Sequence, residues 1–121
     1  MIRRFFVASA ASLIALGAKS ARSLQEQTRI DRLIMIIETR SDMRFIRNGS
    51  EYDGVEAARF LRGKLETMGK DVNTAREFIE QIASRSSMSG QPYQVKFADG
   101  KTMAAGKFLL EELSRLEAHL A

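Results

Sequence analysis

A spacing of 3.6 residues recurs along most of this chain, and it limits the fold more than any other feature. Ile30, Leu33, Ile34 and Ile37 fall at i, i+3, i+4 and i+7, with Arg29, Asp31, Arg32 and Glu38 around them. The stretch from Leu24 to Arg40 therefore reads as an amphipathic helix, and Met35 and Ile36 widen its apolar stripe. Val55, Ala58, Leu61, Leu65 and Met68 draw a second stripe, opened by Asp53 and Glu56 at capping-box spacing. Thr74 and Glu77 repeat that spacing ahead of Phe78, Ile79 and Ile82, which predicts a third helix. Leu109, Leu113, Leu116 and Leu120 stripe a last one.

In two short stretches the period drops to two. Arg44 to Arg47 alternates and ends at Asn48-Gly49, a strong turn signal because both residues tolerate positive φ. Tyr93, Val95 and Phe97 alternate with Gln94 and Lys96, and Asp99-Gly100 turns the chain again. Each strand is too short to stand alone, so the two are expected to pair beneath the helices. The expected fold is mostly α with a minimal two-stranded sheet (α+β), in the order helix, strand, helix, helix, strand, helix.

The N-terminus follows a different logic. "MIRR" precedes the apolar run "FFVASAASLIALG" and the small residues of "AKSARS", the three-part layout of a secretory signal peptide. The run is shorter than the ~20 apolar residues that a membrane-spanning helix needs. It predicts a cleavable leader over 1–23, a single globular domain over 24–121, and no stable membrane anchor once the leader is gone. Cleavage after Ser20 and after Ser23 both satisfy the small-x-small rule, and Ser23 leaves the helical "LQEQTRI" as the mature start. Paired arginines at Arg3-Arg4 suit the twin-arginine route, but any leader needs a positive start, so the general secretory route into the periplasm is preferred. Arg3, Arg4, Lys19 and Arg22 belong to this leader. Without them fifteen basic residues face fifteen acidic ones, and the net charge of +4 gives no support to a nucleic-acid partner.

The inventory of reactive side chains is thin. There is no cysteine and one histidine, His119, on a charged turn close to the C-terminus, where fraying is expected. A zinc site or a Ser-His-acid arrangement has little to draw on, so no metal, cofactor or catalytic residue is assigned. The carboxylate pairs Glu111-Glu112 and Asp53-Glu56 read as a solvated flank and a helix cap. The serine-rich loop "SRSSMSGQPY" is the exit of the third helix: its hydroxyls suit free carbonyls and amides, Gly90 suits a left-handed turn, and Pro92 forces an extended backbone into the strand.

The runs Phe45 to Gly49 (Phe-x-Arg-Asn-Gly), Leu61 to Lys64 (Leu-Arg-x-Lys) and Ser87 to Tyr93 (Ser-x-Ser-Gly-x-Pro-Tyr), together with the leader, resemble the YfeK-like family of small exported bacterial proteins, grouped under a domain of unknown function. The resemblance covers nearly the whole mature chain. It implies a periplasmic address and one compact domain, and it brings no activity with it.

The residues themselves favour a non-enzymatic binding or interaction module of the cell envelope, whose partner is an envelope protein or a small anionic ligand. A small hydrolase or transferase built on the Ser87–Gly90 loop is the alternative, and it lacks a base beside any serine. Antiparallel pairing of the two strands would bring Arg47 and Asn48 to the serine loop. Arg47, Asn48, Arg62, Lys64, Ser87, Ser89, Gly90 and Tyr93 then form the candidate ligand-binding set, because arginine, hydroxyls and free amides suit a carboxylate or phosphate. The bland alternative has Arg62 paired with Glu66 and the loop merely turning.

Overall fold

The computed structural model describes residues 22–120. The leader expected over 1–23, apart from Arg22 and Ser23, lies outside the described residues. Helix α1 spans Leu24–Thr39, α2 Gly54–Met68, the short α3 Ala75–Phe78 and α4 Ala105–Leu120; strands β1 to β4 span Met43–Arg47, Ser50–Tyr52, Gln94–Phe97 and Thr102–Ala104. The expected two-stranded sheet is in fact four-stranded, antiparallel throughout, in the order β2-β1-β3-β4. The two strands expected from alternation sit at its centre, with Phe45 opposite Val95 and Ile46 opposite Gln94.

The two additional strands are the outer arms of hairpins. Asn48 and Gly49 take φ of 50° and 83°, the double positive φ of a two-residue turn whose twist matches paired strands. That turn returns the chain as β2, with Arg47 opposite Ser50. In the second hairpin Gly100, at φ 87°, closes a short loop in which the Phe97 amide bonds the Lys101 carbonyl, and β4 runs back along β3. Each added strand has only three residues, mostly exposed, too few to display an alternation of their own.

The sheet presents one face to the helices. Met43, Phe45, Tyr93 and Val95 are buried on it, while Arg44 and Lys96 point to the other side, where both pair with Glu51. This is the in-out alternation of an antiparallel sheet covered on one side. Ile30, Leu33, Ile34 and Ile37 of α1, Ala58 and Leu61 of α2, Phe78, Ile79 and Ile82 after Thr74, and Leu109 and Leu113 of α4 complete the core.

Helix ends follow the local chemistry. Asp53 and Glu56 exchange side-chain and backbone bonds in a full capping box, as do Thr74 and Glu77. Glu26 of α1 accepts the Ala75 amide at 2.8 Å and so ties α1 to the start of α3. The helix opened by Thr74 widens into a π turn over Ile79–Ala83, and the Ser84 hydroxyl donates to the Ile79 carbonyl at 2.6 Å as the chain leaves it. The first described residues contact the rest of the chain. The Ser23 hydroxyl accepts the Glu26 amide as the α1 cap, and Arg22 Nε donates to the Val72 carbonyl at 2.8 Å.

Candidate functional site

A groove of about 480 Å³ runs between α2 and the serine loop. Its helical wall is the row Phe60, Gly63, Lys64 and Thr67, at i, i+3, i+4 and i+7 on one face of α2. Its opposite wall is the segment from Ser86 to Met88, and Arg47, Asn48 and Tyr93 close one end.

The loop holds its shape through its own backbone and serines. The Tyr93 amide bonds the Ser84 carbonyl, the Ser86 amide bonds the Gln91 carbonyl, and the Gly90 amide bonds the Ser86 carbonyl. Inside this frame the buried Ser86 hydroxyl accepts the amides of Met88 and Ser89, both at 3.3 Å. Gly90 sits at φ 74°, where a side chain would be strained. The Ser89 hydroxyl donates to Asn48 Oδ1 at 2.7 Å and accepts the Gln91 amide, which fastens the loop to the β1–β2 turn. Ser87 meets the Met68 sulfur at 3.7 Å. Among the described residues neither Ser87 nor Ser89 bonds a lysine, histidine or carboxylate, so the loop supplies hydroxyls but no activated nucleophile.

The centre of the site is a ladder of rings and cations. The Arg47 guanidinium lies 4.2 Å from the Phe60 ring centroid and 5.3 Å from that of Tyr52. The Phe60 and Tyr93 rings meet edge to face at 5.8 Å, and Tyr93 leans on Phe45 at 5.4 Å. Lys64 Nζ lies 4.9 Å from the Tyr93 centroid and donates to the Tyr93 hydroxyl at 3.1 Å and to the Arg85 carbonyl at 2.8 Å. Lys64 is only 7 % exposed, an unusual place for a lysine without a carboxylate. Burial, and then the charge of Arg47, holds its pKa below the ordinary 10.5; burial raises that of Tyr93, with Arg47 opposing.

Residues 24–117 match a protein family described as a family of unknown function, DUF5329. The chain belongs to that family. It is also 34% identical over 92 residues to the uncharacterized protein YfeK of Salmonella typhimurium strain LT2, a similarity that covers 76% of this chain and 77% of that protein. No solved structure matches it. The resemblance carried by the runs at 45–49, 61–64 and 87–93 is thus one of family, and two of those runs place residues on the groove wall while Lys64 comes from the third.

Most of the candidate set expected from the sequence meets at this one place. Arg47, Asn48, Lys64, Ser87 and Tyr93 line the groove, Ser89 joins it through Asn48, and Gly90 shapes the loop behind. Arg62 is the exception. It lies on another side of α2 and donates to Glu38 of α1 at 2.9 Å, so its partner is neither the groove nor Glu66 one turn along. Sequence reasoning missed Arg59, Phe60, Gly63, Thr67, Met68, Ser86 and Met88. The available signal was the helical spacing of Phe60, Gly63, Lys64 and Thr67, a row distinct from the core stripe of Leu61 and Leu65.

Proposed function

We infer that this DUF5329 protein is an exported envelope protein whose groove binds an anionic group, carried by a small ligand or by a partner, without transforming it. One observation carries the reading: Arg47 and Lys64 stand in the groove with no carboxylate within ion-pair distance among the described residues. Arg29, Arg40, Arg44, Arg62, Lys96 and Arg115 have an acidic partner and the other described lysines and arginines have none, but among the described residues Lys64 is the one of them that is buried. A cation held out of water without a counter-charge is unfavourable, and an incoming anion relieves that penalty. The test is amide chemical-shift mapping with sodium acetate and with inorganic phosphate. Saturable shifts centred on Arg47, Gly63, Lys64 and Tyr93 are expected, and they should disappear in Arg47→Met and Lys64→Met variants that melt as the parent does. Shifts scattered over the whole surface, or none, would dismiss the site.

Export rests on the N-terminal layout of charge, apolar run and small residues. Within that reading, cleavage after Ser20 fits the domain better than cleavage after Ser23. It keeps the Ser23 cap of α1 and the Arg22 contacts to Val72 and Gly69. Intact-mass measurement of protein from the periplasmic fraction should then give a chain starting at Ala21. A chain starting at Met1 in cells would remove the export reading.

A further inference from the structure

We propose that the groove takes a small amphiphilic anion: a carboxylate or phosphate ester head at Arg47, Lys64 and Tyr93, with a short alkyl or aryl tail running over Gly63 toward Met68 and Met88. The proposal rests on the anion-binding reading above and adds the chemistry of the rest of the ligand.

Charge sets the head. Arg47, Arg59 and Lys64 line the groove, and no acidic residue does. Lys64 has two of its three N–H groups engaged, by the Arg85 carbonyl and the Tyr93 oxygen. The Tyr93 hydroxyl accepts from Lys64, and its own proton has no acceptor among the described residues. Arg47 makes one long contact, 3.4 Å to the Tyr52 hydroxyl, out of the five N–H groups of a guanidinium. These free donors suit one compact oxyanion. A group carrying its own ammonium would meet three cations and no counter-charge.

The floor and the mouth set the tail. Gly63 lies in the interior of α2, where glycine is the poorest helix former after proline. A Cβ built on it meets nothing within 4 Å, so close packing does not require the glycine. It leaves a strip of bare helix backbone as the floor of the groove. At the mouth stand two exposed methionines, Met68 at 53 % and Met88 at 98 %, the latter on the tip of the loop that Ser86 holds in shape. Methionine is flexible and apolar and adapts to varied apolar surfaces. A hydrophobic loop tip opposite a hydrophobic helix end, either side of a bare floor, is a receptor for a tail, and the volume lies within the range of small-molecule pockets.

The experiment is a titration of the purified protein with acetate, hexanoate and octanoate, each as a soluble monomer, followed by the same amide shifts. Each methylene removed from water favours binding about fourfold, so octanoate should bind at least about tenfold tighter than hexanoate. Gly63→Leu should reduce octanoate to the affinity of acetate while the acetate shifts at Arg47 and Lys64 persist. Arg62→Met, outside the groove and paired with Glu38, serves as the control and should keep octanoate binding as in the parent, and the melting transition of Gly63→Leu checks its fold. Equal affinities for acetate and octanoate would overturn the amphiphile and leave the anion site standing. Absence of any localised binding would overturn both. Cosedimentation with phosphatidylglycerol vesicles that octanoate does not compete away would overturn the assignment to a free ligand in favour of a membrane surface.

Discussion

Helix α2 has two sides that obey different rules, and its glycines mark them. At Gly54, the first residue of the helix, an added Cβ would stand 2.3 Å from the Ile37 carbonyl oxygen and 2.8 Å from that of Glu38. The glycine is there because α1 passes that close. At Gly63 an added Cβ touches nothing, and the helix keeps a residue that weakens it with no packing reason. The charges repeat the contrast. Arg62 faces α1 and has Glu38; Lys64, two positions on, is buried at the groove with a carbonyl and a phenol but no acid. On the α1 side both the glycine and the arginine are accounted for by folding. On the groove side a glycine and the cations Arg47, Arg59 and Lys64 are left without a packing reason or an acidic partner among the described residues, and surplus of this kind is expected where a surface gives up some stability.

The largest effect belongs to the closed side. Gly54→Ala forces α1 and α2 apart against backbone atoms that have no rotamer to yield, and it should cost about 1–3 kcal/mol, as overpacking of a filled contact does. A denaturant titration with the slope unchanged and the midpoint lowered would show it. A midpoint equal to the parent's would mean that the helices are not in contact at Ile37, and the comparison would lose its first half.

Gly63→Ala should act in the opposite direction, raising stability by up to about 1 kcal/mol through helix propensity alone. The two substitutions are chemically the same, on one helix, nine positions apart, so their difference in sign isolates the surroundings from the residue type. A loss of stability at Gly63 would show that the groove closes in solution and that the glycine is a packing residue after all.

Lys64 adds a pH dependence whose sign is fixed by burial. Its folded pKa lies below the ordinary 10.5 because burial, and then Arg47, disfavour the ammonium. Below the folded pKa the lysine is charged in both the folded and the unfolded chain, and the full penalty is present. As pH rises from the folded value toward 10.5 the folded chain sheds its proton first, the unfolded chain binds more protons, and stability rises. Lys64→Met removes this term. The parent should therefore gain stability relative to the variant as pH climbs toward 10.5, a difference measurement in which the other lysines and tyrosines cancel. A gap that stays constant with pH would mean that Lys64 is solvated, and the groove would lose its buried cation.

These contrasts also show which parts of the molecule were legible from residues alone. All four helices follow from apolar spacing, and the caps at Asp53 and Thr74 follow from carboxylates placed three residues on. The central strand pair follows from alternation in Arg44–Arg47 and Tyr93–Phe97. The outer strands were not legible. Ser50–Tyr52 and Thr102–Ala104 are held by pairing with a neighbour and by the turns at Asn48-Gly49 and Gly100, and three mostly exposed residues are too few to show a burial pattern. The groove was legible from one side only. Antiparallel pairing brings Arg47 and Asn48 to the serine loop, whereas the helical wall depends on how α2 is rotated about its axis. That rotation is set by contacts with α1 and the sheet, and it turned Lys64 toward Tyr93 and Arg62 away.

Arg62 therefore gives the smallest prediction and the one that sharpens the comparison most. It stands in the expected set, like Lys64, as a cation on the second helix that folding does not obviously require and that suits an anion. The fold places it at a half-exposed ion pair with Glu38, whose pKa it lowers chiefly through that hydrogen bond. Exposed pairs of this kind contribute little, because two long side chains must be ordered and water screens their attraction. Arg62→Met should thus shift the melting transition barely, and it should leave acetate and octanoate shifts at Lys64 and Tyr93 as they are in the parent. Arg47→Met, with a substitution of the same kind, should remove those shifts at little change in stability. If Arg62→Met instead weakened binding as much as Arg47→Met, the ligand would have to reach across the helix to the α1 side, and the division of α2 into a folding side and a binding side would fail.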